Sequence, residues 1–136
     1  MAQDRVFDAS ALTTFLRNEP GADKVEDMIV EAKERGAALL VTSVNLGEVW
    51  YVVARYRNDA DMAISSLMSL GLLHVDVTWA IAREAASLRV KYKLPYGDCC
   101  AAALAKINRM PLVTCDYDFK VLEREVKIQW VKGHHT

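Results

Sequence analysis

Several things that would place this chain outside a reducing interior are missing from it. Its three cysteines, Cys99, Cys100 and Cys115, form no CxxC pair and no spaced set with histidine. An odd, unpaired set excludes a disulfide framework and reads as buried free thiols rather than a zinc site. No apolar run approaches the roughly 20 residues that a bilayer span needs, so no membrane association is expected. Met1-Ala2-Gln3-Asp4-Arg5 lacks the basic, apolar and small-residue regions of a signal peptide, which points to the cytosol. His134 and His135 fall in a C-terminal tail expected to be inert. Neither sign of charge dominates. With 17 bases and 18 acids the net charge is −1, and no global basic field advertises nucleic acid.

What remains has the composition of a soluble globular protein: 136 residues, 52% apolar and 26% charged. That length predicts one domain over residues 1–136, burying about two thirds of its unfolded surface. Strand and helix patterns alternate along it, without repeats or low-complexity linkers. Val6-Phe7 runs into Asp8, and a helix follows from Ala11 to Arg17. Beyond Glu19-Pro20-Gly21, Ala22, Val25, Met28, Ile29 and Ala32 recur at helical spacing, with Gly36 as the stop. Ala37 to Thr42 reads as a strand buried on both faces. Ser43 is placed to cap the helix that ends near Asn58, and Asp59 the one that ends at Gly71. Leu72 to Val77 is a third strand, and Thr78 caps a helix to about Lys91. Pro95 opens a helix to about Asn108, Pro111 to Thr114 is a strand, Asp118 to Glu125 a short helix, and Val126 to Val131 a last strand. Alternation of this kind predicts a parallel sheet in a three-layer α/β/α sandwich.

Four acids fall where such a sheet binds ligands, outside the carboxyl ends of its strands. Asp8 ends the first strand, where an acid serves equally as a helix cap or a metal ligand. Glu48 sits on an apolar stretch among Leu46, Val49 and Val52. An acid there needs either a base such as Arg55 or a metal. Asp98 heads the row Ala101, Ala102, Ala105 at helical spacing. Small residues on one face allow close packing on the sheet, so Asp98 points inward over the strand tips. A first-turn acid also complements the helix macrodipole, but that does not explain the shared face. Asp116 follows the fourth strand, and Asp118 is the better placed of the two to cap the short helix. Four converging carboxylates call for hard divalent cations, Mg²⁺ or Mn²⁺, which prefer oxygen ligands and bind phosphates alongside carboxylates. Setting these four aside leaves fourteen acids against seventeen bases, a balance compatible with an acidic pocket in a mildly basic surround. The chemistry points to phosphodiester hydrolysis.

In four places the sequence resembles the PIN-domain nucleases, and among them the VapC-type toxins of toxin–antitoxin pairs. These are Val6-Phe7-Asp8-Ala9-Ser10-Ala11-Leu12, Ser43-Val44-Asn45-Leu46-Gly47-Glu48-Val49, Leu94-Pro95-Tyr96-Gly97-Asp98 with Ala101-Ala102-Ala103, and Val113-Thr114-Cys115-Asp116-Tyr117-Asp118-Phe119. They stand in the family order and span nearly the whole chain. The resemblance implies a five-stranded parallel sheet in order 3-2-1-4-5. It implies Mg²⁺ or Mn²⁺ held by Asp8, Glu48, Asp98 and Asp116, with Asp118 as an accessory ligand and Ser10 and Thr114 supporting through hydroxyl hydrogen bonds. It further implies cleavage of single-stranded RNA, a homodimer and a cognate antitoxin protein.

Two other classes of function compete. An inert PIN scaffold would act as a protein- or RNA-binding module, although the intact acids argue against it. A phosphoaspartate receiver wants an acid pair before its first helix and an Asp after its third strand, for which Asp76 is a poor candidate. A haloacid-dehalogenase-type phosphatase wants Asp-x-Asp, where this chain has Asp8-Ala9-Ser10.

Overall fold

In a computed structural model that describes residues 3–132, five short strands form one sheet. They are β1 (Arg5–Phe7), β2 (Leu39–Thr42), β3 (Leu72–Val75), β4 (Leu112–Thr114) and β5 (Ile128–Trp130). Their order is β3-β2-β1-β4-β5 and every neighbouring pair is parallel. The connections are α1 (Ala9–Leu16), α2 (Ala22–Arg35), α3 (Ser43–Tyr56), α4 (Ala60–Ser69), α5 (Trp79–Tyr92), α6 (Tyr96–Asn108) and a 3-10 helix, Tyr117–Leu122.

Side chains alternate across the strands, so the sheet feeds two separate cores. Val6 and Leu112 point to one face and pack with α5, α6 and the 3-10 helix. Phe7 and Val113 point to the other face and pack under α1 to α4. Three layers result. Ala101, Ala102, Ala103 and Ala105 are all fully buried, which lets α6 lie close against its neighbours. Successive strands from β1 to β3 move one way, and β4 then starts on the far side of β1. The chain therefore reverses between β1 and β4, where open α/β sheets bind their ligands.

Local details differ from the expectations in informative ways. Helix α1 starts at Ala9, two residues early, because the Asp8 side chain caps it by accepting the Ala11 N–H. The cap of α3 is Thr42 and not Ser43: Thr42 Oγ1 accepts the Asn45 N–H at 3.0 Å. Asp59 occupies the N-cap position of α4 without a capping bond, its carboxylate being taken by Arg57 Nε at 2.8 Å. Strand β3 stops at Val75, and Thr78 caps α5 as expected. The 3-10 helix begins at Tyr117, and its cap is Asp116, which accepts the Asp118 N–H at 2.9 Å; Asp118 caps nothing. Cys99 and Cys100 are buried free thiols, while Cys115 is half-buried. His134 and His135 lie outside the described residues, and no described helix is long and apolar enough to cross a membrane.

Candidate active site

Asp8 follows β1 and is 2% exposed, so its carboxylate is held almost wholly by protein groups. Ser10 Oγ donates to it at 2.9 Å, Thr114 Oγ1 donates across the sheet at 2.5 Å, and the Ala11 N–H caps it at 2.9 Å. The network continues outward: Ser10 Oγ accepts the Cys115 N–H at 3.0 Å, and Thr114 Oγ1 accepts the Asp116 N–H at 2.9 Å. Both hydroxyls expected to support the site are thus hinges between β1 and β4. Burial pushes the Asp8 carboxyl up to about 6, against the pull of the three hydrogen bonds, with Asp116 adding repulsion. Of the two roles that its position allowed, Asp8 fills that of the α1 cap.

Asp98 stands in the first turn of α6, half-buried, and accepts no hydrogen bond from any described residue. Burial, followed by the charges of Asp116, Asp8, Glu48 and Asp118, pushes it up to about 7. Four acids from three other parts of the chain are therefore felt at one carboxyl. The alanine row that Asp98 heads is fully buried, as expected.

Glu48 does not pair with Arg55. Its Oε1 instead accepts the Asn45 side-chain amide at 2.8 Å, and the same amide reaches the Gly97 carbonyl at 2.9 Å. Asn45 is fully buried, with Oδ1 taken by Thr42 Oγ1. This one side chain ties the end of β2, the first turns of α3 and the start of α6 together. Gly97 belongs to the same joint: a Cβ there would stand 2.5 Å from Glu48 Oε2. Neither residue was singled out from the sequence. The signal at hand was Asn45 three residues before Glu48, the helical spacing at which two side chains meet.

Together the acids offer only oxygen donors, and among the described residues none of the five pairs with a lysine or arginine. Unneutralised, mutually repelling carboxylates of this kind fit a hard divalent cation. Among the described residues no three such side chains converge closely enough to close on an ion by themselves.

The family model described as PIN domain matches residues 5–125. No curated protein matches the sequence. Solved structures of similar fold include VapBC2 from Rickettsia felis bound to a promoter DNA fragment, with a TM-score of 0.76 at 15% identity over 92% of this chain and 96% of that one. A toxin–antitoxin complex from Klebsiella pneumoniae gives a TM-score of 0.71 at 18% identity, over 96% of this chain and all of the other. VapC20 from Mycobacterium tuberculosis, a sarcin-ricin loop cleaving toxin, gives 0.68 at 15% identity, over 87% and 94%. At these identities the likeness is one of fold.

Proposed function

The chain belongs to the PIN domain family, and from that premise we propose that it is a metal-dependent endoribonuclease, the toxin of a toxin–antitoxin pair. The observation that carries this reading is the Asp8 carboxylate, buried where the chain reverses between β1 and β4 and fixed there by Ser10, Thr114 and the Ala11 N–H, with Asp98, Asp116 and Glu48 near enough for their charges to repel. An arrangement that costs stability without a counterion is characteristic of functional sites. Relatives in fold that are toxin–antitoxin complexes or a sarcin-ricin loop cleaving toxin support the same reading.

In this proposal Asp8, Glu48, Asp98 and Asp116 would hold Mg²⁺ or Mn²⁺ jointly with water, and Asp118 would be an accessory ligand at the exposed edge of the site. A divalent ion held there would supply Lewis acidity toward the scissile phosphate and lower the pKa of the attacking water. The chain's own groups do the positioning. Ser10 and Thr114 point their protons at Asp8 and fix its carboxylate plane. Asn45 donates to Glu48 and so turns that carboxylate toward α6. Single-stranded RNA is the substrate class, a cognate antitoxin the regulating partner, a homodimer the assembly and the cytosol the location.

The test is cleavage of single-stranded RNA by the purified chain with Mn²⁺, Mg²⁺ or EDTA. Cleavage that requires the metal and disappears in Asp8→Asn and Asp98→Asn is expected. Cleavage undiminished in EDTA removes the metal mechanism, and RNA binding without cleavage in either metal would instead support the inert scaffold.

A further inference from the structure

The pocket is acidic, whereas the substrate proposed for it is a polyanion, so cations and ring faces outside the carboxylates must hold the strand. Composition shows no basic field, yet the fold assembles one local group with that chemistry. Glu48, Tyr51 and Arg55 follow one another on α3 at i, i+3 and i+7, which places them on one helical face. At 1.5 Å of rise per residue, Arg55 lies roughly 10 Å along the helix from Glu48. The Arg55 guanidinium sits 5.6 Å from the centroid of the Tyr51 ring and 5.7 Å from that of Tyr56. Arg17, at the end of α1, reaches across to 4.6 Å over the Tyr56 ring.

Both rings remain open, Tyr51 at 59% and Tyr56 at 60% exposure. Among the described residues Arg55 makes no ion pair, and Arg17 has one exposed partner, Glu19, at 3.7 Å. The ridge is therefore cationic, carries two exposed tyrosines and starts from the same helical face as a site acid. We propose that Tyr51, Arg55, Tyr56 and Arg17 bind the single-stranded RNA beside the scissile phosphate, the rings taking unpaired bases and the guanidinium groups taking phosphates.

This inference builds on the nuclease reading but names a surface that the reading does not require. Two features favour RNA over a protein as occupant. Tyr51 and Arg55 follow Glu48 along one face of α3, and Arg55 lies over rings without an acidic partner among the described residues. Arginine over an aromatic face also matches the stacking and cation–π contacts that single strands use without sequence preference.

The experiment is fluorescence anisotropy of a short labelled single-stranded RNA on the full chain in EDTA, across a salt series, with cleavage in Mn²⁺ measured on the same proteins. Tyr51→Ala should weaken binding about 5- to 150-fold, the range for one base–aromatic stack. Arg55→Gln should weaken it and flatten the salt dependence by about 0.7 in the log–log slope, as expected when one fewer phosphate is neutralised. Lys127→Ala, beside the opposite end of the sheet, should leave both unchanged. Because Tyr51 and Arg55 are exposed, the variants should melt as the wild type does.

Wild-type affinity and slope in both ridge variants overturn the inference. So does the absence of RNA binding by the wild type, or a changed oligomeric state with unchanged RNA affinity, which would make the ridge a protein interface. These outcomes separate from failure of the nuclease reading. Ridge-dependent binding without metal-dependent cleavage removes the nuclease and keeps the ridge; cleavage with indifferent ridge variants does the reverse.

Discussion

Replacing Asp98 by asparagine should stabilise the metal-free protein, and by an amount that depends on pH. The carboxyl stands at about 7 in the folded chain against 3.8 in the ordinary state, raised first by burial and then by its acidic neighbours. At 1.36 kcal/mol per unit, the ionised form costs folding at most about 4 kcal/mol. Half-burial screens the repulsive share, the amide must still be desolvated, and a favourable first-turn charge worth about 0.3–1 kcal/mol is lost. A net gain of about 2 kcal/mol remains, or about 4–8 °C in Tm.

The sign with pH follows from linkage. A carboxyl whose folded pKa is raised costs nothing below pH 3.8, where both states are protonated. The cost grows as the unfolded chain ionises first, and it levels off above about pH 7. Asp98→Asn should therefore gain least near pH 4 and most near pH 8. Thermal melts of both proteins in EDTA at the two pH values make the measurement. A variant that melts lower at pH 8, or that gains equally at both, refutes the argument.

Other perturbations separate the roles of neighbouring groups. Gly97→Ala should leave Tm nearly unchanged, since the Glu48 carboxylate can swing away, while lowering RNA cleavage about 100-fold, the scale of an ångström-sized misplacement. Equal cleavage rates would show that the position of Glu48 is immaterial. Asn45→Ala should cost about 1–3 kcal/mol in denaturant melts, because the buried Thr42 hydroxyl and Gly97 carbonyl lose their partner; an unchanged midpoint would mean that water replaces the amide. Asp116→Asn should keep the fold, asparagine being as good a cap, and abolish cleavage, whereas Asp118→Asn should retain most of it. A larger loss at Asp118 would exchange their roles.

The fold was legible because each crossover carries its own punctuation. Helical spacing with Gly36 and Gly71, and the cap at Thr78, mark the helices, and strand–helix alternation leaves a parallel sheet as the natural outcome. The acids were legible for a related reason: Asp8 and Asp116 end strands, and Asp98 shares a face with buried alanines. Which hydroxyl or carboxylate caps a helix was harder to read. Thr42 beside Ser43, and Asp116 near Asp118, are chemically equivalent choices decided by where the strand ends. Asn45 and Gly97 stayed hidden because their contact joins positions 52 residues apart, which no local pattern records. Arg55 lies over tyrosines rather than beside Glu48 for a simpler reason: Tyr51 is one helical turn away and Glu48 two.

The central claim is that these carboxylates form one divalent-metal site, and a calorimetric titration of Mn²⁺ into the purified chain tests it most directly. Wild type should bind Mn²⁺ near neutral pH, more weakly at pH 5 as Asp8 and Asp98 take up protons. Asp8→Asn and Asp98→Asn should lose that binding, while Asp27→Asn, on the exposed side of α2, should retain it. A wild-type chain that binds no Mn²⁺, or site variants that bind it as tightly as the Asp27 control, would contradict the claim.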